Sequence, residues 1–258
     1  MSEASPVQTV DLNSDMGEAF GLYRMGEDEA ILEVVSSANV ACGFHGGDPE
    51  VMAKTFGDAR KKNITVGAHP GFNDLWGFGR RVVPHTIGEI ERMVAYQIGA
   101  AQALSAYAGN PIKYVKPHGA LGNLCENEMD VAVAVTNAVK AVDPKLICLS
   151  IADGCQDRAA REMGMAVASE IYADRAYDDE GRIVSRKLPG AVIHDPEFAA
   201  ARVVRMVEAG AIETVSGKLI PRVIDSICLH GDNPSAVALG TRVRRELEKA
   251  GVSIRSFA

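Results

Sequence analysis

The sequence predicts an α/β fold in which about seven parallel strands alternate with helices. Along all 258 residues, short apolar runs end at Gly, His, Asp or Pro and are followed by helical patterns. This alternation is typical of parallel βαβ units with right-handed crossovers. The length suits one α/β barrel, because such barrels run to about 250 residues as one domain. We therefore expect a single domain over residues 1–258.

Each element has its own local signal. The first strand alternates apolar and polar residues, and the run at 146–151 is continuously apolar, as expected of a strand buried on both faces. Thr86 and Glu89 form a capping-box pattern, and Pro49 marks another helix start. Strands are predicted at 7–10, the first half of 37–49, 64–69, 112–120, 146–151, 166–171 and 223–229, with a last short one within 252–257. Helices are predicted at 27–36, 48–62, 86–108, 128–142, 196–209 and 234–250. One more helix is predicted between the strands at 146–151 and 166–171, ending at about residue 163.

The composition narrows the classes of ligand. Hydrophobic residues make up 47% and charged residues 24%, as in an ordinary globular protein. The formal net charge of −7 argues against a nucleic-acid partner, because binding phosphate backbones requires clustered Lys and Arg. No apolar run approaches the roughly 18 residues of a membrane span, and no signal segment is visible. We expect a cytoplasmic protein with a small-molecule substrate and no membrane partner.

Chemically active side chains fall at the predicted ends of the strands. In a parallel β/α fold these ends share one face, where active sites form. One strand-end His is more often structural, but four on one face indicate a catalytic site. The residues at these ends are Asp11, Asn13, Asp15, Glu18, His45, His69, Lys116, His118, His230 and Asp232. A glycine-rich loop at 72–83 adds Arg80 and Arg81, and irregular loops of this length often bind ligands.

Several common motifs are missing. The chain has no Gly-x-x-x-x-Gly-Lys-Ser/Thr phosphate loop, no Gly-x-Gly-x-x-Gly, no Gly-x-Ser-x-Gly and no His-Glu-x-x-His. The five Cys form no Cys-x-x-Cys pair, so neither a disulfide framework nor a structural zinc site is indicated. Cys42 near His45 could be drawn as a nucleophile and its base. We disfavour this interpretation, because a Cys inside an apolar strand is usually buried and inert.

The sequence alone leaves open whether a catalytic metal is bound. Two or three imidazoles with Asp11 or Asp15 would suit Zn²⁺ or Mn²⁺ with an open coordination position. Against a metal, the four strand-end His lie in turns rich in Gly and Pro and show no paired-His spacing. We therefore assign no metal ligands from the sequence.

The chain resembles the LamB/YcsF family over nearly its whole length. The matching segments are 11–18, 38–49, 67–72, 77–81, 115–121, 173–177, 189–196 and 230–234, in the family's order. The resemblance implies a distorted seven-stranded TIM-like β/α barrel of the glycoside hydrolase/deacetylase type. Three positions depart from the family pattern: Ser14, Gly47 and Gly122, the last of which removes an aromatic side chain near the expected pocket. The His-x-x-x-His metal pair of the related deacetylases is absent.

The resemblance also implies an activity. The family is that of the 5-oxoprolinase A subunits, so the implied reaction is the hydrolytic opening of 5-oxo-L-proline to L-glutamate. This reaction is coupled to conversion of ATP to ADP and phosphate and is carried out together with subunits B and C. ATP, with Mg²⁺, is then the co-substrate. Two alternatives stay open, a metal-dependent amide or carbohydrate deacetylase and a lactam-binding subunit that performs no chemistry itself.

Roles for the candidate residues follow from this chemistry. Catalytic roles are expected for Asp11, Asp15, His45, His69, Lys116 and His118. Substrate contacts are expected for Asn13, Glu18, Arg80, Arg81, Asp174, Arg175, His230 and Asp232. An Asp would orient or deprotonate water and a His would protonate the leaving nitrogen. Lys and Arg would hold the substrate carboxylate or the transferred phosphate, since Arg makes bidentate contacts with oxyanions.

Overall fold

The computed structural model describes residues 8–229 and 236–258. The strands in these ranges are β1 Thr9–Met16, β2 Ser37–Ala41, β3 Thr65–His69, β4 Tyr114–Val115, β5 Ile147–Ile151, β6 Val167–Tyr172, β7 Ala211–Glu213, β8 Leu219–Pro221, β9 Ser226–Leu229 and β10 Ser253–Ile254. The helices are α1 Asp28–Ile31, α2 Pro49–Lys61, α3 Ile87–Tyr107, α4 Gly119–Asn127, α5 Met129–Val142, α6 Cys155–Glu162, α7 Pro196–Ala209 and α8 Ala236–Lys249.

Seven parallel strands close into a barrel. Their order is β1-β2-β3-β4-β5-β6-β9, and pairing of β9 with β1 completes the ring. Strand β10 pairs in parallel with the start of β1, while β7 and β8 form a separate antiparallel ribbon. Helices follow the strands in the manner of a TIM-like fold. The predicted α/β class and the seven-stranded TIM-like barrel are thus confirmed.

Local capping explains where two long helices begin. The Asp48 side chain accepts hydrogen bonds from the backbone N–H groups of Glu50 and Val51, with Pro49 in the first helical position. Thr86 and Glu89 form the predicted capping box at the start of α3. Both devices satisfy N–H groups that a helix cannot satisfy internally. These helices therefore begin where the sequence predicts.

The first strand is longer than predicted. It runs to Met16, so Asp11, Asn13 and Asp15 lie within β1 and not after its end. Alternate residues of a strand point to opposite faces, and these three polar residues share the face inside the barrel. There they find polar partners on neighbouring strands, which offsets their low strand propensity.

A glycine makes room for an aromatic ring inside the barrel. The Tyr114 ring lies against β3, and a Cβ on Gly67 would overlap it. The Tyr114 hydroxyl donates to Asn39 Oδ1 at 2.7 Å, and the Phe257 ring packs against the Tyr114 ring at 5.1 Å. The barrel interior is therefore filled by side chains, as in other small barrels.

Some elements differ from the predictions. The helix predicted at 27–36 is only the four-residue α1, and β4 is only two residues long. Helix α4 begins at Gly119, inside the strand predicted at 112–120, and neither α4 nor the β7–β8 ribbon has a counterpart among the predicted elements. Across the described ranges, no helix combines the length and apolar character that a membrane span requires.

Candidate active site at the mouth of the barrel

A cavity of about 770 Å³ opens at the C-terminal ends of the strands. This volume is within the range of roughly 300–1,000 Å³ that is typical of small-molecule sites. One side of the cavity is formed by the ends of β1, β3 and β4, and the other by the segments that follow β4, β5 and β6. Predicted site residues that line it are Asp15, His69, Arg80, Lys116, His118 and Arg175.

Lys116 is a buried cation held by several partners. Its Nζ lies 2.9 Å from Glu170 Oε2 and 3.6 Å from Asp15 Oδ1. It also donates to Asn13 Oδ1 at 3.1 Å and contacts Cys228 Sγ at 3.1 Å. Burial alone would lower the pKa of Lys116, but the Cys228 sulfur and the carboxylates of Glu170 and Asp15 raise it well above its usual value. The ammonium group therefore stays charged.

Asp15 is an ionised carboxylate that lies between the Lys116 ammonium group and the His69 imidazole. Its Oδ1 accepts from Asn39 Nδ2 at 2.9 Å and lies 3.2 Å from His69 Nε2. Burial opposes its ionisation, but His69 and Lys116 hold the pKa of Asp15 well below its usual range. Such a carboxylate can orient a water molecule at neutral pH.

Two backbone carbonyls set the proton positions on His69 and His118. His69 Nδ1 lies 2.6 Å from the Lys116 carbonyl, and His118 Nε2 lies 2.8 Å from the Phe78 carbonyl, so both nitrogens donate. The remaining nitrogens, His69 Nε2 and His118 Nδ1, face each other at 3.0 Å. Two lone pairs repel at that distance, so the contact is favourable only when a proton or another cation lies there.

His45 and Glu18 support this pair from behind. His45 Nε2 lies 3.2 Å from Glu18 Oε1, which is also 3.5 Å from His118 Nδ1. The rings of His45 and His118 stack in parallel with their centroids 3.6 Å apart. Burial, followed by the neighbouring His118, lowers the pKa of His45 well below its usual value, and burial with His69 lowers the pKa of His118 to about 3. Both rings are therefore neutral at neutral pH.

The donor set fits a divalent cation in part. Ligand atoms of Glu18, His45, His69 and His118 all lie within 4.8 Å of one another. His69 Nε2 and His118 Nδ1 offer lone pairs, and the carboxylates of Asp15 and Glu18 lie beside them. His45 fits less well, because its ring is parallel to that of His118 and in-plane lone pairs of parallel rings do not converge. Two imidazoles with carboxylates suit Zn²⁺ or Mn²⁺.

Other predicted residues lie away from this group. Asp11 lies deeper in the barrel, where it accepts hydrogen bonds from Ser36, Ser37 and Ser226, and burial raises its pKa to about 6. Arg81 pairs with Asp74, its Nε lying 3.0 Å from Oδ2, outside the cavity.

The segment after β6 contributes Arg175 but not Asp174 to the cavity wall. Asp174 is buried, and Arg175 donates to the carbonyls of Val184 and Ala191. Burial raises the pKa of the Cys42 thiol to about 12, which agrees with an inert Cys. The predicted residues His230 and Asp232 lie outside the described residues.

The far wall of the cavity carries polar residues that the sequence did not single out. They are Glu126, Ser150, Gln156, Arg158, Arg186 and Arg222. The sequence carries one signal for this wall, the Asp153-Gly154 break between β5 and α6, where a strand meets a helix N-terminus. That break is a common setting for ligand contacts in parallel α/β proteins.

Sequence comparison identifies close relatives. Residues 10–258 match the LamB/YcsF family. A 5-oxoprolinase A subunit of Gluconobacter oxydans is 61% identical over 97% of this chain and 98% of its own length. One of the same description from Azorhizobium caulinodans is 57% identical over 97% of this chain and 99% of its own length.

Solved structures agree with this assignment. The lactam utilization protein of Thermus thermophilus is 42% identical, with a TM-score of 0.93, over 97% of this chain and all of its own. The catalytic domain of a peptidoglycan N-acetylglucosamine deacetylase of Eubacterium rectale is 9% identical, with a TM-score of 0.53, over 99% and 91% of the two chains. That second likeness concerns the fold alone. The chain described here belongs to the LamB/YcsF family.

Proposed function

We propose that this chain is the A subunit of an ATP-dependent 5-oxoprolinase that opens 5-oxo-L-proline to L-glutamate, together with subunits B and C. Two observations outside the site support the choice of reaction: relatives described as 5-oxoprolinase A subunits and a related structure described as a lactam utilization protein. The observation that carries it within the site is the buried Lys116 ammonium beside the Asp15 carboxylate and the His69–His118 pair.

The substrate defines what the site must supply. It is a five-membered lactam with a carboxylate, and its amide carbon is a poor electrophile for water. Lys116 offers positive charge inside the barrel mouth, and Arg80 offers a second cation at the rim of the same cavity. These groups suit the substrate carboxylate and the charge that develops on the carbonyl oxygen.

Coupling to ATP makes the carbon reactive. The lactam oxygen attacks the γ-phosphorus of ATP, so a carbon–oxygen–phosphorus link forms while the bond from γ-phosphorus to the bridging oxygen breaks and ADP leaves. The protein contributes position and charge compensation to such a transfer. Water then adds to the activated carbon. Asp15 orients this water, and the proton that the water loses passes through the carboxylate to His69, whose Nε2 lies 3.2 Å from Asp15 Oδ1.

Collapse of the adduct completes the reaction. The carbon–nitrogen bond breaks to open the ring, which leaves an acyl phosphate. A second water then adds to the same carbon, the carbon–oxygen bond to phosphate breaks, and phosphate leaves as the carboxylate of L-glutamate forms. The leaving nitrogen takes up a proton, and His69, whose Nε2 lies 3.2 Å from Asp15 and 3.0 Å from His118, is placed to deliver it. The products are L-glutamate, ADP and phosphate.

The test is glutamate formation by the chain reconstituted with subunits B and C. Asp15→Asn keeps the shape of the side chain but removes its charge, and we expect turnover to fall by at least about 10²-fold. Asp130→Asn on the exposed face of α5 is the matched control and should keep full turnover. The proposal fails if the wild-type complex forms no glutamate from ATP and 5-oxoproline, or if the two variants behave alike.

A second candidate function is a metal-dependent amide or carbohydrate deacetylase. The observation that favours it is the clustering of Glu18, His45, His69 and His118. A bound divalent cation would polarise a substrate carbonyl, and His69 and His118 would hold it. Metal analysis of the purified chain separates the two functions. Stoichiometric Zn²⁺ that is lost in His69→Gln, with deacetylation in the absence of ATP, would favour this candidate over the lactam reaction.

A further inference from the structure

The far wall of the cavity contains buried polar atoms without partners. Within the described residues, Ser150 Oγ, Gln156 Nε2, Glu126 Oε2 and Arg222 Nε are buried and form no hydrogen bond. The side chains of Ser150 and Gln156 belong to residues that are only 2% and 1% exposed. Buried polar atoms of this kind are rare, since each costs about 1–3 kcal/mol when unsatisfied. All four residues line the same cavity, which indicates that a bound ligand completes their hydrogen bonds.

These atoms surround the turn between β5 and α6. Strand β5 ends at Ile151 and α6 begins at Cys155, so the turn has only three residues. Asp153 adopts a left-handed backbone conformation with φ of 63°, and Gly154 is the N-cap. Because glycine has no side chain, none caps the first turn of α6. The free N–H groups of a helix start and their partial positive charge favour an anion.

Gly154 also has a steric reason to be glycine. A Cβ at this position would overlap the carboxyl group of Glu126. The Glu126 carboxyl group accepts from the Ile151 N–H at 3.3 Å, and burial raises its pKa to about 8. At neutral pH Glu126 is therefore protonated and can donate an O–H to a ligand oxygen. A neutral carboxyl group does not repel an anion.

The charges on this wall also favour an anion. Arg158, in the first turn of α6, contacts the Asp153 carbonyl and Cys155 Sγ, both at 3.1 Å. It forms no ion pair among the described residues, and the same holds for Arg186 and Lys187, which line the cavity nearby. Arg222 pairs with Asp153 at 2.9 Å. A cationic wall is unusual in a chain with a formal net charge of −7, so the wall concentrates anions locally.

We propose that the β5–α6 turn binds the phosphate groups of the nucleoside triphosphate, and that Ser150, Gln156, Arg158 and Arg222 contact those groups. This inference rests on the proposed function, which requires ATP, and it names a place for ATP in a chain that lacks the standard phosphate loop. The turn and the Lys116–Asp15–His69 group line one cavity. The γ-phosphate and the lactam oxygen can therefore meet without leaving it.

Calorimetric titration of the full chain tests this site. The probes are ATP with Mg²⁺, tripolyphosphate, inorganic phosphate, adenosine and 5-oxoproline. We expect ATP and tripolyphosphate to bind and adenosine not to bind. Arg158→Met and Gln156→Leu should each weaken ATP binding by about tenfold or more, because each variant loses a charged or buried hydrogen bond to the ligand. Affinity for 5-oxoproline should stay within about twofold. Arg92→Met, on the exposed face of α3 outside the cavity, removes the same charge and is the matched control.

Several outcomes overturn the proposal. The first is equal ATP affinity in Arg158→Met and Arg92→Met, and the second is adenosine binding as tight as that of ATP. The third is inorganic phosphate binding as tight as that of ATP, which would indicate a site for free phosphate. If the isolated chain does not bind ATP, the titration is repeated on the complex with subunits B and C, and absence of binding there also overturns it.

Kinetics separate this proposal from the proposed function. A complex that forms glutamate with an unchanged KM for ATP in Arg158→Met retains the function and loses the phosphate site. Conversely, the proposed function fails and the phosphate site stands if the complex forms no glutamate while ATP binding is weakened by Arg158→Met and not by Arg92→Met.

Discussion

The two walls of the cavity differ in how their polar groups are satisfied. On the wall formed by β1, β3 and β4, Lys116 has partners on every side, and Asp15 contacts Asn39, His69 and Lys116. On the wall around the β5–α6 turn, Ser150 and Gln156 have polar atoms with no partner among the described residues. Most polar groups of the first wall are paired before a ligand arrives, with His45 Nδ1 behind it as an exception, whereas the second wall is completed by a ligand.

This difference has a physical meaning for function. A satisfied buried network holds its groups in one geometry, which proton transfer needs. Unsatisfied donors destabilise the free protein slightly, but they strengthen the binding of a ligand that pairs with them. Stability and binding measurements should therefore respond in opposite ways on the two walls, which can be tested by substitution.

The largest effect is expected for Lys116→Met on the satisfied wall. Met has a similar length but no charge, so the buried carboxylates of Glu170 and Asp15 lose their counter-ion. Breaking one side of a buried ion pair costs about 3–5 kcal/mol, and the free energy of unfolding in urea should fall by that amount. Lys187→Met, exposed on the opposite wall, should change it by less than about 0.5 kcal/mol. Equal losses in the two variants would contradict the comparison.

An intermediate effect is expected for Glu126→Gln, and it depends on pH. The pKa of Glu126 is raised from 4.5 to about 8, so the folded protein keeps a proton that the unfolded chain releases above about pH 4.5. The wild type should therefore lose stability as pH rises from 4.5 to 8. Glu126→Gln has no such proton, and between pH 5 and pH 8.5 it should lose less stability, by on the order of 3 kcal/mol.

Chemical denaturation at the two pH values measures this difference. Glu162→Gln, exposed on α6, is the control and should follow the wild type. Parallel pH dependences in Glu126→Gln and the wild type would show that Glu126 is not held in its neutral form.

The smallest effect is expected for a pair of serines. Ser226 Oγ donates to Asp11 and accepts from Asn13 Nδ2 at 2.7 Å, so Ser226→Ala should cost about 1–3 kcal/mol. Ser150→Ala removes a hydroxyl that has no partner among the described residues, and because an unpaired buried hydroxyl costs free energy, the free energy of unfolding should stay equal or rise by about 1 kcal/mol. Thermal denaturation of both variants measures this difference. A larger loss of stability in Ser150→Ala than in Ser226→Ala would mean that the Ser150 hydroxyl already has a hydrogen-bond partner.

Local signals explain which features the sequence predicts. The starts of α2 and α3 depend on Asp48 and Thr86, whose caps act within three residues. The convergence of His69, Lys116 and His118 follows from the geometry of parallel strands, whose C-terminal ends share one face. These features therefore need no knowledge of distant contacts.

Distant contacts explain the rest. The extent of β1 is hidden because Asp and Asn rarely favour strands, and only the closed barrel supplies Ser226 and Asn39 as their partners. The unsatisfied wall is hidden for a similar reason, since α4, β5, α6 and the segment after β8 each contribute a residue to it. Which polar atoms lack a partner is a property of that assembly.

The pairing of β9 with β1 also has a consequence for synthesis of the chain. The hydrogen bond from Ser226 to Asp11 joins residues 215 positions apart, so the ring of strands closes only after β9 has been made. Until then β1 and β6 are open edges, and open parallel edges pair readily with other chains. Such distant pairing also slows folding. A ribosome-bound chain that ends before β9 should therefore be the species most prone to aggregate.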